Sequence, residues 1–295
     1  MALYAFDGTW NKDKPGSEHD TNVIWFRDAY PGAFAYQEGI GTKFGLLGKL
    51  AGGITGAGGR ERISAMKQAL KKNFAGGDTT IHIIGFSRGA ALALHFANQI
   101  AKGKVTGVPA SAEIAFLGIW DTVPSFGIPS IPANIGWDLD LPDTVRKCYH
   151  AMSLDERRID FKLHRPDARV ADANQEGRLF EVWFRGVHSD VGGGNDNPGL
   201  SSVALNWMFT KAALNGIDLK PDVVAANHDR MDPDAAISIH DVDPILKFRV
   251  VRWNDQVHES VAFRTDTGKR KHNNPPANLA RVDDAGDVVG AFERG

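Results

Sequence analysis

The run Gly85-Phe86-Ser87-Arg88-Gly89 places a serine between two glycines. A serine hydroxyl is a weak nucleophile. It attacks an acyl carbon only when a base takes its proton and a third group orients that base. The flanking residues suit that use. TIHIIGF at 80–86 is β-branched and apolar and reads as a central strand, and RGAALALHFANQIAKG at 88–103 reads as a helix closed by glycine. A chain passing from strand directly into helix turns sharply at Ser87, and small neighbours give it room. The competing reading makes Ser87 only the N-cap of that helix.

A base and an acid are available in the chain order Ser, Asp, His expected of such an elbow. Asp121 ends the apolar run EIAFLGIWD at 113–121, which would put its carboxylate at the C-terminal edge of a sheet. His188 follows FEVWFRGV at 180–187 and opens the glycine-rich HSDVGGG. His258, in DQVHESV, is the alternative base, and Asp190 is an alternative orienter. The oxyanion of an acyl-transfer intermediate needs two donors. The backbone N–H of Arg88 is one. The other is expected from Asp7-Gly8-Thr9-Trp10-Asn11, where Gly8 allows close backbone approach and Thr9 offers a hydroxyl besides its N–H. Asp7 and Asp121 each have a plainer reading as turn residues. A phosphatase-type D-x-D-G-T loop is set aside, because the position of its nucleophile holds Ala5.

The elements that must position these groups alternate. LYAF at 3–6 and FAYQ at 34–37 read as strands, and RERISAMKQALKKNF at 60–74 as an amphipathic helix. NPGLSSVALNWMFTKAALNG at 197–216 reads as another helix. Strand–helix alternation predicts an α/β fold of the α/β-hydrolase kind, a mainly parallel sheet with helices on both faces and the elbow at Ser87. The expectation is one domain over 1–295, with a less regular extension at 218–295 packed on the core. Residues 39–59 hold nine glycines in 21 positions and read as a loop. Its Leu46, Leu47, Leu50 and Ile54 fit either a loop packed on the surface or a flap over a lipid-like substrate. That loop, 125–145 and 220–295 are expected to shape the substrate pocket.

The 295 residues carry a formal net charge of −2, which gives no electrostatic case for binding nucleic acid. The lone cysteine, Cys148, excludes an intramolecular disulfide and reads as a core residue. No HExxH, EF-hand or CxxC motif marks a metal site, and no cofactor is expected. MALYAFDGTW lacks the basic start of a signal peptide, and no apolar run approaches a membrane span, so synthesis in the cytoplasm is expected.

AFDGTWN at 5–11, TNV at 21–23, GIGT at 39–42, GFSRGA at 85–90, GIWDTV at 118–123, HAMSLDERR at 150–158 and EVWFRGVHSDVGGG at 181–194 stand in an order and spacing that resemble one family. It is the α/β-hydrolase domain family that includes the type VI secretion phospholipase effectors. The resemblance runs from about residue 3 to about 215. It implies a Rossmann-like parallel sheet, with the family's serine, aspartate and histidine on Ser87, Asp121 and His188. It also implies a phospholipid substrate, contact with a membrane surface, delivery to a target cell without a signal peptide, and an immunity protein as partner. Asp155, Glu156, Arg157 and Arg158 match a family segment that reads as paired charges packing a loop. Two other functions compete: an esterase or deacylase for small soluble esters, and a non-catalytic binding protein on a hydrolase fold.

Overall fold

The computed structural model describes residues 1–8, 20–39, 57–124, 136–166, 177–238, 247–263 and 272–293. In chain order they form β1 (Ala2–Phe6), α1 (Asn22–Ala29), β2 (Ala33–Gln37), α2 (Ala57–Ala75), β3 (Ile81–Phe86), α3 (Arg88–Ala101), β4 (Ile114–Trp120) and β5 (Cys148–Ser153). There follow β6 (Leu179–Phe184), α4 (His188–Gly192), α5 (Pro198–Leu214), α6 (Pro221–His228), β7 (Gln256–His258), β8 (Ala280–Val282) and β9 (Val288–Ala291). Short 3-10 turns span Ile159–Phe161 and Glu259–Phe263.

The described strands make one sheet in the order β2-β1-β3-β4-β5-β6-β7-β8-β9. All neighbours run parallel except β9, which lies antiparallel to β8. The chain leaves β1 for β2 on one side and returns as β3 on the other. Strand order therefore reverses at β1, which opens a crevice at the carboxyl ends of β1 and β3.

Successive side chains of a strand point to opposite faces, so each buried strand feeds two cores. Tyr4, Phe6, Ile81, Ile83 and Leu117 pack with Leu70 of α2 and with Leu92 and Phe96 of α3. Leu3, Ala5, Ile84, Phe86 and Trp120 pack on the other face with Phe26 of α1 and with Trp207 and Phe209 of α5. A smaller core of Met152, Trp183, Val257, Leu279 and Phe292 lies under the last strands. Local sequence starts the helices. The Thr21 hydroxyl accepts from the Ile24 N–H at 3.4 Å at the head of α1, and Asn197 caps α5 with Pro198 in its first turn.

The α/β layout with helices on both faces is as the alternation of elements implied. Several elements had not been read from the sequence, α1 and β5 among them. NVIWFRDA, which forms α1, is only eight residues long and is held by burial of Val23, Ile24 and Phe26 rather than by propensity. CYHAMS, which forms β5, mixes polar and apolar residues, yet all six are buried. Its His150 bonds to Glu181 at 3.0 Å and to the Thr122 hydroxyl at 3.2 Å, so a polar side chain sits inside the sheet with partners. The C-terminal region supplies three short strands that extend the sheet. Thr9, most of the glycine-rich loop and residues 125–135 lie outside the described residues.

Candidate active site

Ser87 stands between β3 and α3 with φ 59° and ψ −124°, a conformation a residue with a side chain rarely adopts. Close packing holds it there. A Cβ on Gly85 would come 2.6 Å from the Gly89 carbonyl oxygen, and a Cβ on Gly89 would run into the Phe6 carbonyl. The two glycines thus let α3 start directly against the ends of β1 and β3. The Ser87 N–H donates to the Trp120 carbonyl at 3.0 Å, tying the turn to β4. The side chain does not cap the helix. Its Oγ lies instead 2.7 Å from His188 Nε2.

His188 opens α4, just past the end of β6. Its ring lies between Phe86 (centroids 4.6 Å apart) and Phe161 (4.9 Å), which exclude water from it. Nδ1 lies 2.6 Å from Asp121 Oδ2. An ionised carboxylate only accepts, so Nδ1 carries the proton and Nε2 is left as acceptor for the serine hydroxyl. Burial pushes the imidazole below its ordinary value, against the pull of Asp121. Asp121 is fully buried at the end of β4, with φ 40°. Burial acts to raise its carboxyl, but Arg249 and His188 outweigh that and hold it well below the usual carboxylate range. Its Oδ1 also accepts the Ser153 N–H at 2.8 Å.

Two contacts of this group escaped sequence reasoning. Arg249 reaches Asp121 from the C-terminal region, Nη1 at 2.5 Å from Oδ1 and Nη2 at 3.0 Å from Oδ2. No motif surrounds it. Glu156 accepts the His188 backbone N–H at 3.1 Å and pairs with Arg158 at 2.6 Å. Burial works to raise the Glu156 carboxyl, but Arg158 brings it down to about 2. The segment read as charges packing a loop therefore also fixes the backbone at the histidine.

The remaining sequence candidates fall in different places. The Arg88 N–H, first of α3, donates to no acceptor among the described residues, and it sits at the positive end of the helix. The Arg88 guanidinium has no hydrogen bond or ion pair among the described residues, and burial lowers it to about 10. Gly8 differs from expectation. Its N–H donates to Asp7 Oδ1 at 2.6 Å, which commits it away from an oxyanion. Asp7 Oδ2 accepts from the Thr21 hydroxyl (3.0 Å) and the Tyr36 hydroxyl (2.7 Å). Asp7 is thus a buried strut joining the end of β1 to α1 and β2, rather than a group offered to substrate. His258 is remote from Ser87 in its bonding: Nδ1 contacts Ser260 Oγ at 2.8 Å and Nε2 contacts Asp284 at 3.1 Å. Asp190 accepts from Val187 and Ser238 backbone N–H groups at 3.0 Å each and so holds a loop. Among the described residues no group of three or more His, Cys, Asp or Glu could hold a metal ion. No described helix is long and apolar enough to cross a membrane.

Residues 3–107 and 99–211 match the family model described as T6SS, phospholipase effector Tle1-like, catalytic domain. Among solved structures, an uncharacterized protein from Pseudomonas aeruginosa is similar over 80% of this chain and 51% of its own, with 20% identity and a TM-score of 0.52. The Tle1 effector bound to the VgrG spike of the type 6 secretion system is similar over 67% of this chain and 51% of its own, with 24% identity and a TM-score of 0.45. The chain spans about half the length of each of these two. No curated protein matches it.

Proposed function

The chain belongs to the Tle1-like catalytic-domain family of type VI secretion phospholipase effectors, and we propose that it hydrolyses carboxylic esters of phospholipids through Ser87, His188 and Asp121. The hydrogen-bonded chain from Ser87 Oγ through His188 to Asp121 carries this reading. In it, His188 Nε2 takes the hydroxyl proton as Ser87 Oγ bonds to the acyl carbon. The negative charge that develops on the carbonyl oxygen is met by the Arg88 N–H at the head of α3. Collapse of the intermediate breaks the ester C–O bond, and His188 returns its proton to the departing lysophospholipid oxygen. Water then attacks the acyl-serine with His188 again as base, releasing the fatty acid and restoring Ser87.

Phospholipid is favoured over a small soluble ester by what surrounds the site. Val250 and Trp253 are 76% and 85% exposed, on the segment that begins with Arg249. Ile159 is exposed beside Phe161, whose ring contacts His188. Apolar side chains held in water, close along the chain to residues that touch Asp121 and His188, suit a membrane surface. Delivery to a target cell, and an immunity protein that guards the producing cell, belong to the same proposal.

Labelling with a fluorophosphonate tests the nucleophile and base together. Wild type and His258→Gln are expected to label, and folded Ser87→Ala and His188→Gln are not. Labelling retained in His188→Gln would remove that residue as the base.

A further inference from the structure

We propose that Arg249 is a positioning residue of this site: by gripping both oxygens of Asp121 it locks the C-terminal region onto the acid and keeps His188 an uncharged base. The inference rests on the reading of His188 as base, and it adds a member from outside residues 3–211, the part of the chain matched by the family model.

Both terminal nitrogens of the guanidinium are engaged, while the buried Nε has no partner among the described residues. Nη1 donates to Asp121 Oδ1 and Ser153 Oγ, both at 2.5 Å, and lies 2.9 Å from the Ser153 carbonyl. Nη2 donates to Asp121 Oδ2 at 3.0 Å and to the Phe161 carbonyl at 2.8 Å. A planar guanidinium matches a carboxylate in this two-point manner, which an ammonium does not. One side chain thereby joins the end of β4, the end of β5 and the turn whose Phe161 ring covers His188. Asn273 steadies Arg249 from behind, donating to its carbonyl at 2.9 Å.

The charge arrangement gives this clamp a consequence beyond packing. An acid that faces an imidazole alone stabilises imidazolium. Here the acid is already paired with a cation, so the two together face His188 with no net charge. The other ionisable neighbours are Glu156, whose carboxylate takes the His188 N–H and is paired with Arg158, and Asp190 on α4, whose carboxylate is held by Val187, Asn195 and Ser238. Ser87 and the rings of Phe86 and Phe161 complete the surroundings. Arg249 is the cation that directly shares the acid with the base, and its charge opposes protonation of His188.

The test follows the His188 ring by NMR across pH in the full chain, as wild type, Arg249→Gln and Arg249→Lys. Losing the cation is expected to raise the His188 midpoint by about one unit or more. Lysine, which keeps the charge, is expected to hold it near the wild-type position. The acid limb of kcat/KM on a soluble ester is expected to move with the midpoint. An unchanged midpoint in folded Arg249→Gln overturns the proposal. If that variant does not fold, the wild-type guanidinium nitrogen resonances decide: they are expected to shift with the His188 midpoint, and resonances flat across it overturn the proposal. A midpoint that moves in a protein without ester turnover supports the Asp121 clamp while removing the hydrolase reading, so the two fail separately.

Discussion

Ser87 Oγ stands 2.7 Å from His188 Nε2 across a separation of 101 residues, from a backbone conformation (φ 59°, ψ −124°) that glycine adopts most easily. Holding serine there costs about 1–3 kcal/mol. Ser87→Gly should therefore lose fluorophosphonate labelling and gain stability, by about 1 kcal/mol once the lost hydroxyl contact is set against the relieved strain. Ser87→Ala loses labelling too but keeps a Cβ in the same conformation, so it gains less. Urea midpoints of the three proteins check this, and a Ser87→Gly protein no more stable than Ser87→Ala would mean the elbow is not strained.

Acid should destabilise the fold before the carboxylates are neutralised. His82 and His95 are buried, and burial brings each from 6.5 down to about 4. The unfolded chain takes up both protons below about pH 6.5, whereas the folded chain refuses them until about 4. The stability they permit is thus complete above 6.5 and is lost as pH falls through that window. Asp7 works in the opposite sense. Burial raises it from 3.8 to about 6, so the folded form gains its proton first and becomes less stable as pH rises through 6. Two histidines against one carboxylate leave a net loss on the order of 3 kcal/mol by pH 4. Urea denaturation at pH 7 and 4.5 measures it. His95→Gln is expected to flatten the slope, because an amide oxygen can still accept the Asp138 N–H that His95 Nδ1 accepts at 3.0 Å.

That Asp121 and His188 could meet beside Ser87 was legible because each follows an apolar strand, and strands of a parallel sheet end on one edge. Ser87, Asp121 and His188 follow β3, β4 and β6 in turn. Arg249 was not legible. It sits in an aperiodic stretch, and what makes it matter is a fold that carries it 128 residues back to Asp121. The Asp7–Asn11 loop was expected to supply an oxyanion donor, with Gly8 allowing close backbone approach. Sequence shows that a glycine can approach a ligand, but not that a neighbouring carboxylate has already taken its donor. Likewise β5 showed no periodicity, because a strand buried on both faces needs none, and its His150 is satisfied by Glu181 from another strand.

The elbow should tolerate no side chain at position 89. A Cβ there would run into the Phe6 carbonyl and lie 2.6 Å from that of Asp7, both of them backbone at the end of β1. Relief would require α3 to move away from the sheet. Gly89→Ala is expected to cost about 3 kcal/mol or more and to reduce labelling even in the protein that remains folded. Gly76→Ala is the matched control, since a Cβ there meets nothing nearer than the Asn73 carbonyl at 3.4 Å. Its urea midpoint should stay within about 0.5 kcal/mol of wild type.

The last expectation separates lipid from soluble substrate. Val250 and Trp253 are more exposed than side chains of their kind usually are; Val250 follows directly on Arg249, which grips Asp121, and Trp253 stands three residues further on. If this surface enters a bilayer, burying Trp253 and Val250 contributes about 1.5–3 kcal/mol per side chain. That contribution is absent when the substrate arrives dissolved. Replacing both with serine should therefore lower turnover of phospholipid in vesicles by tenfold or more, with a much smaller change for a short-chain soluble ester. Vesicle co-sedimentation at the same protein concentrations should fall in parallel. Equal losses on both substrates would point to damage at the Arg249–Asp121 clamp instead, and an unchanged vesicle rate would leave the exposed tryptophan without a part in substrate access.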